Sequence, residues 1–246
     1  MKILSILISR LRQQGFVAIA GSAARYLAYI LRFNLVRIKY RGDAQQIFRW
    51  IYRENIWGDE ESRSGTGSSM LYTKGLRSGL GRLFRHYKIG SIVDAGCGDF
   101  NWMSQTLTGL DIKYHGIDIV PEVIETLHRK YSDQGFNFSV ADIRYDNIPS
   151  ADLLICRDVL FHMSLKDIRQ TMRNFMRSDI KYALFTSHLT DDDYEFKDIA
   201  TGDFRFLDLE KLPFLMKSSI DQIDDWIEGH TARRLLLFRS DDFMLL

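Results

Sequence analysis

Ser91–Met103 reads S-I-V-D-A-G-C-G-D-F-N-W-M. An apolar, β-branched run ends in a carboxylate, Asp94, and breaks at once into Gly96-Cys97-Gly98, as a strand does when it enters a tight turn that only glycine accepts without strain. Asn101-Trp102-Met103-Ser104 can then open a helix. A strand, a Gly-x-Gly turn and a helix N-terminus together bring backbone N–H groups to a ligand at the carboxyl edge of a parallel sheet. The alternative is a tight β-α turn with no ligand, and the residues that follow weigh against it.

Tyr114-His115-Gly116-Ile117-Asp118 predicts a second strand ending in an acid, twenty residues past Gly98, where a carboxylate can accept from ribose hydroxyls. Phe136–Asp142 predicts a third strand, also ending in an acid. Three such strands point their carboxylates at one edge of one sheet. On these residues the segment resembles the class I S-adenosylmethionine-dependent methyltransferases. The resemblance implies that Asp94, Gly96 and Gly98 hold the methionine end of S-adenosylmethionine, Asp118 its ribose and Asp142 its adenine amine. It extends the cofactor envelope to Cys97, Phe100, Asn101 and Trp102 in the turn, and to Ile119, Ile143 and Arg157 beside the next strand ends. Phe100 stands where the family places a third glycine, so its ring is expected to press on the cofactor or narrow the loop. A nicotinamide-dependent oxidoreductase is the rival, but its fingerprint wants glycine at Asn101 and calls for neither Asp94 nor Asp142.

Strands alternate with helices through the rest of the domain. Pro121 sits at a helix start ahead of Val123, Ile124, Leu127 and Tyr131. Asp152–Cys156 is a fourth strand, Ser164 with Asp167 caps a further helix, and Lys181–Phe185 is a fifth strand. Phe204-Arg205-Phe206-Leu207 reads as a short alternating strand paired antiparallel with Arg234–Arg239. The expected fold is therefore α/β and Rossmann-like: a seven-stranded, mostly parallel sheet with helices on both faces, plus an N-terminal helical extension.

Three segments follow: a basic amphipathic extension over 1–42, a helical cap with a Gly/Ser-rich lid over 43–89, and the cofactor domain over 90–246. The segment 55–69, N-I-W-G-D-E-E-S-R-S-G-T-G-S-S, has the composition of a flexible linker, yet its place before the first strand suits a lid that folds Trp57 and Gly65 over the cofactor. Charge divides the chain. Residues 1–90 carry 16 Lys/Arg against 5 Asp/Glu, and residues 91–246 carry 17 against 27. Residues 1–42 hold eight bases and no acid, with no uncharged run near the roughly 18–20 apolar residues of a spanning helix. They predict two basic helices broken near Gly15, either lying on an anionic membrane surface or capping the domain. The two cysteines, Cys97 and Cys156, flank strand ends and suggest a reducing cytoplasm rather than a disulfide framework, and no metal-binding spacing is present.

Methyl transfer to a hydroxyl needs alignment and a base. In the resembling family, the region beyond the fourth strand faces the methyl group, and it holds Arg157-Asp158-Val159-Leu160-Phe161-His162 here. His162 is the leading candidate base, with Asp158 to orient it or act itself and His188 as the second imidazole. Arg157 and Arg205 are expected as clamps for an anionic or polyhydroxyl acceptor. Nucleic acid is disfavoured by the acidic catalytic half and by the missing Asn/Asp-Pro-Pro-Tyr/Phe tetrapeptide. A small-molecule or glycan acceptor fits better, since Gly-Cys-Gly-Asp-Phe-Asn-Trp-Met followed by Cys-Arg-Asp-Val-Leu-Phe-His resembles bacterial methyltransferases of surface glycans. A different small molecule or peptide, or an inactive subunit that keeps the cofactor fold, are the alternatives. The sequence does not specify an oligomeric state.

Overall fold

A computed structural model of the chain describes residues 31–131, 133–216 and 218–242. It divides into two compact units, 1–43 and 44–246. In the first, residues 31–39 are helical; the two amphipathic helices expected around Gly15 lie outside the described residues.

In the second unit, helix α1 (Ala44–Arg53) and helix α2 (Lys74–His86) precede the sheet. Then come β1 (Ser91–Ala95), α3 (Asn101–Thr106), β2 (Lys113–Asp118), α4 (Pro121–Tyr131), β3 (Asn137–Val140) and β4 (Leu153–Cys156). The unit closes with α5 (Leu165–Met176), β5 (Tyr182–His188), β6 (Asp221–Asp224) and β7 (Arg233–Arg239). Among the described residues these strands make one seven-stranded sheet in the order β3-β2-β1-β4-β5-β7-β6. The first five strands pair in parallel, and β7 runs antiparallel to both β5 and β6.

The period-2 alternation of the strands sorts their side chains into two cores. Ile92, Leu153, Leu184 and Leu235 turn to one face and meet Leu76, Leu80 and Leu83 of α2 and Val123 and Leu127 of α4. Val93, Leu154, Ala183 and Leu236 turn to the other and meet Ile168, Met172 and Phe175 of α5. Because both faces are covered, β4 and β5 are fully buried, β4 apolar throughout and β5 apolar up to Phe185, as central strands of a covered sheet are. At the start of α5, the Ser164 hydroxyl accepts from the Asp167 N–H at 3.2 Å, the predicted cap.

The expected strand at Phe204–Leu207 is not one. Its backbone bonds elsewhere: the Arg205 N–H donates to the Phe161 carbonyl at 3.2 Å and the His188 N–H to the Leu207 carbonyl at 2.7 Å. Besides β5, the antiparallel partner of β7 is instead β6, D-Q-I-D, an edge strand in which only Ile223 is buried. A single inward apolar residue leaves too little periodicity to be read in advance.

Candidate active site

The turn after β1 adopts positive φ at Gly96 (78°) and Gly98 (55°), and both lack room for a side chain. A Cβ at Gly96 would lie 2.4 Å from the Val159 side chain, and one at Gly98 2.1 Å from the Ser64 hydroxyl. The glycines thus let two other segments close on the turn: the loop after β4 and the segment 59–69. The latter is fastened by Asp99. Its carboxylate accepts from the Ser62 hydroxyl (2.8 Å), the Arg63 N–H (3.0 Å) and the Ser64 hydroxyl (3.3 Å). Asn101 adds bonds from its amide to the Glu61 carboxylate (2.8 Å) and the Ser68 carbonyl (3.1 Å). A stretch with a linker's composition is here the wall of a cavity.

That cavity, of about 340 Å³, runs along the carboxyl ends of β1, β2 and β4. Of the residues expected to hold the cofactor, Trp57, Gly65, Asp94, Gly96, Cys97, Gly98, Trp102, Asp118, Ile119, Asp142, Ile143 and Arg157 line it. Phe100 and Asn101 do not. Phe100, at φ 58°, turns its ring away from the cavity into a cluster with Tyr114, Tyr131, Phe136 and Phe138, at centroid distances of 4.7 to 5.2 Å. It fills core and does not narrow the loop. Asn101 is spent on the segment 59–69.

The three strand-end acids differ. Asp94 is buried, accepts from the Tyr114 hydroxyl at 2.8 Å, and is pushed up to about 7 by that burial. Asp118 is also raised by burial; its two oxygens accept from the Gly98 N–H (3.0 Å) and the Val120 N–H (2.9 Å). Each carboxylate oxygen has a second lone pair, so Asp118 can still take ribose hydroxyls. Asp142 is committed: the Arg144 guanidinium grips both its oxygens, at 2.9 and 2.6 Å, and also reaches Asp167 at 3.1 Å. The remaining wall at that end, Phe48, Ile119, Val120, Val123 and Ile143, is an apolar slot for a flat base. Slot and strand-end carboxylates fit the adenine, ribose and cationic methionine end of S-adenosylmethionine.

At the opposite end four charges interlock, Arg157 and Asp225 buried, Asp158 and Arg233 half-buried. The Arg157 guanidinium forks onto Asp225 (2.8 and 3.0 Å), lies 3.2 Å from Asp158 and donates to the Gly67 carbonyl at 2.6 Å. Arg233 pairs with Asp158 at 2.8 Å and with Asp225 at 3.3 Å. Burial by itself would raise Asp158, but Arg157 and Arg233 outweigh it and hold its carboxyl below the usual range. It is therefore an anion and a poor base at neutral pH. Its φ of 60° places it in the left-handed region that Asp tolerates. The hydroxyl of Thr186 also donates to it, at 3.2 Å.

His162 lies on the same cavity wall. Its Nδ1 is 2.8 Å from the Asp203 carbonyl, and a carbonyl only accepts, so Nδ1 carries the proton and Nε2 keeps the lone pair. Burial lowers its pKa, which keeps the ring neutral near pH 7. His188 is elsewhere: it is buried behind Phe161, its Nδ1 accepts from the Leu207 N–H at 3.1 Å, and burial brings it to about 4. Arg205 does not reach the cavity either. Its guanidinium is buried over the Phe196 ring at 4.8 Å and 3.7 Å from Asp198. His188 ends β5, and Arg205 lies in the irregular segment 189–209, within which the expected strand at Phe204–Leu207 does not form.

Sequence reasoning missed Asp99, Asp225, Arg233 and Phe204. Asp99 carried a signal, an acid directly behind the glycine turn with a serine-rich segment upstream. Asp225 and Arg233 carried none, because their partner Arg157 is 68 residues away from Asp225.

Comparison with known proteins agrees with this geometry. Residues 92–178 match a family described as a methyltransferase domain. None of the curated proteins matches the chain. Among solved structures, human N-acetylserotonin methyltransferase in complex with S-adenosylmethionine is similar at a TM-score of 0.58 and 18% identity, over 83% of this chain and 61% of that one. Magnesium protoporphyrin IX methyltransferase from Synechocystis PCC 6803, with bound S-adenosylhomocysteine, is similar at 0.54 and 12%, over 84% and 98%. An S-adenosylmethionine-dependent methyltransferase from Clostridium acetobutylicum ATCC 824 gives 0.50 and 17%, over 68% and 91%. At such identities the likeness is one of fold. Residues 92–178 thus match a methyltransferase domain, set in the fold shared with these S-adenosylmethionine-dependent methyltransferases.

Proposed function

We propose that the protein methylates a hydroxyl of a small acceptor, a sugar or glycan intermediate, using S-adenosylmethionine. The observation that carries this reading is His162. A neutral imidazole, with Nδ1 pinned to a carbonyl and Nε2 left as acceptor, shares one cavity with the strand-end carboxylates. When bound, S-adenosylmethionine supplies an electrophilic methyl on a sulfonium. The residues of the chain do the rest: Asp118 and the apolar slot orient the adenosine, Asp94 meets the cationic end, segment 59–69 excludes water, and His162 takes the hydroxyl proton.

The choice of a glycan rests on the Gly-Cys-Gly-Asp-Phe-Asn-Trp-Met and Cys-Arg-Asp-Val-Leu-Phe-His segments and on the basic front end. We place residues 1–42 peripherally on an anionic membrane face, where each Lys or Arg near the surface is worth about 1 kcal/mol. No helix among the described residues is long and apolar enough to cross a membrane. Nucleic acid is not the acceptor we favour, because Arg144, Arg157 and Arg233 on the cavity wall are each paired with a carboxylate.

Calorimetry with S-adenosylhomocysteine tests the cofactor half. Asp118→Ala is expected to weaken binding by about 1.5–3 kcal/mol for each charge-assisted bond lost. Unchanged affinity in that variant, or tight NAD binding by the wild type, defeats the assignment.

A further inference from the structure

The acceptor end of the cavity has two properties that together restrict what can enter it. The first is aromatic. The His162 ring neighbours Trp57 (5.6 Å between centroids), Phe204 (5.9 Å) and Phe161 (4.5 Å). Trp57 and Phe204 also line the cavity, yet they remain 36% and 50% exposed. These faces are open beside the imidazole, where the ring of a ligand can cover them. Their positions are held from below: a Cβ on Gly65 would lie 3.2 Å from the Trp57 Cβ, and the Arg205 N–H bond to the Phe161 carbonyl anchors the residue next to Phe204.

The second property is electrostatic. Among the described residues that line the cavity, the basic side chains besides His162 are Arg144, Arg157 and Arg233, and all three are ion-paired. At the acceptor end Asp158 lines the wall, and Asp94, Asp118 and Asp142 line the cofactor end of the same cavity. An anionic group carried in here would lose its hydration and find no unpaired cation, a cost that an uncharged ring does not bear.

We infer that the methyl acceptor is an uncharged hydroxyl-bearing ring, clamped between Trp57 and Phe204 with its hydroxyl on His162. The inference rests on the methyl-transfer reading above and sharpens it: Trp57 belongs to the acceptor, not the cofactor, and Phe204 is a specificity determinant. Any phosphate or carboxylate on the natural acceptor stays outside the cavity. The hydroxyl proton passes to Nε2 of His162 as the oxygen gains the methyl, and the carbon–sulfur bonding pair returns to sulfur, leaving the thioether S-adenosylhomocysteine.

A pair of probes that differ only in charge tests this. Full-length protein saturated with S-adenosylhomocysteine is titrated with phenyl β-D-glucopyranoside and with phenyl β-D-glucuronide, followed by ligand-observed NMR. The uncharged glucoside should bind at least about tenfold more tightly than the carboxylate-bearing glucuronide. Phe204→Ala should weaken glucoside binding by about tenfold while the affinity for S-adenosylhomocysteine stays the same, and Phe204→Tyr should restore it. Equal or tighter binding of the glucuronide, no binding of the glucoside, or indifference to Phe204→Ala overturns the inference. Loss is read separately from the methyltransferase assignment, which stands or falls on the cofactor titrations: bound S-adenosylhomocysteine with any of these outcomes overturns the acceptor inference alone.

Discussion

The two ends of the cavity are built in opposite ways. At the cofactor end, Asp94, Gly96, Gly98 and Asp118 lie within 25 consecutive residues from β1 to β2, and the two acids bond within that same stretch or just past it: Asp94 to the Tyr114 hydroxyl, Asp118 to the Gly98 and Val120 N–H groups. At the acceptor end, Trp57, Gly67, Asp158, Phe204, Asp225 and Arg233 come from five separated stretches and are joined by side chains. The first end is a local device that the strand–turn–helix geometry delivers whole. The second is an assembly, held by charges that must all be present, because a buried ion left without its partner is costly. One end should therefore tolerate change in binding energy, and the other should answer in catalysis or in folding.

The largest expected effect separates chemistry from binding. His162→Ala should lower turnover by roughly 10²–10⁴ and leave S-adenosylhomocysteine affinity within a factor of two, as measured by initial rates and calorimetry on one preparation. Near-wild-type turnover would remove the base from the acceptor end and leave alignment alone.

Asp225→Ala comes next. Asp225 is fully buried and serves both Arg157 and Arg233, so its loss should cost about 3–5 kcal/mol in urea unfolding. A cost below 1 kcal/mol would mean that the acceptor end is no more interdependent than the cofactor end.

The smallest effect concerns Asp94 and depends on pH. Its folded pKa, about 7, lies above the ordinary carboxylate value of 3.8, so between those pH values the native protein binds more protons than the unfolded chain. Stability of the cofactor-free protein therefore falls as pH rises from about 4 to 7. Asp94→Asn, which keeps an acceptor for Tyr114, should raise Tm at pH 8 by an amount worth on the order of 1–3 kcal/mol and do little at pH 5. In the wild type, affinity for S-adenosylhomocysteine should climb as pH rises through 7, since a cation favours the ionised carboxyl. A flat profile would assign Asp94 to packing alone.

Much of the cofactor end was readable in advance because its signals are local. A β-branched run, two glycines and an acid at each strand end are consequences of period and turn chemistry, and Asp94, Gly96, Gly98 and Asp118 stand where that logic puts them. Phe100, in the same turn at φ 58°, packs into the aromatic cluster instead, and Asn101, the first residue of α3, bonds to Glu61 and the Ser68 carbonyl. His162 was legible as an imidazole beyond β4; the carbonyl that sets its tautomer, Asp203, was not.

By itself the sequence determined that the core sheet is mostly parallel, and it determined the carboxylate edge, because side-chain period and backbone conformational limits act over a few residues. Only the tertiary structure decided that 55–69 is a wall, that β6 pairs with β7, that 204–207 is not a strand, and that Arg157 meets Asp225 and Arg233. Those outcomes depend on which distant groups are left to satisfy a buried charge or a backbone donor, and that competition is settled when the chain packs.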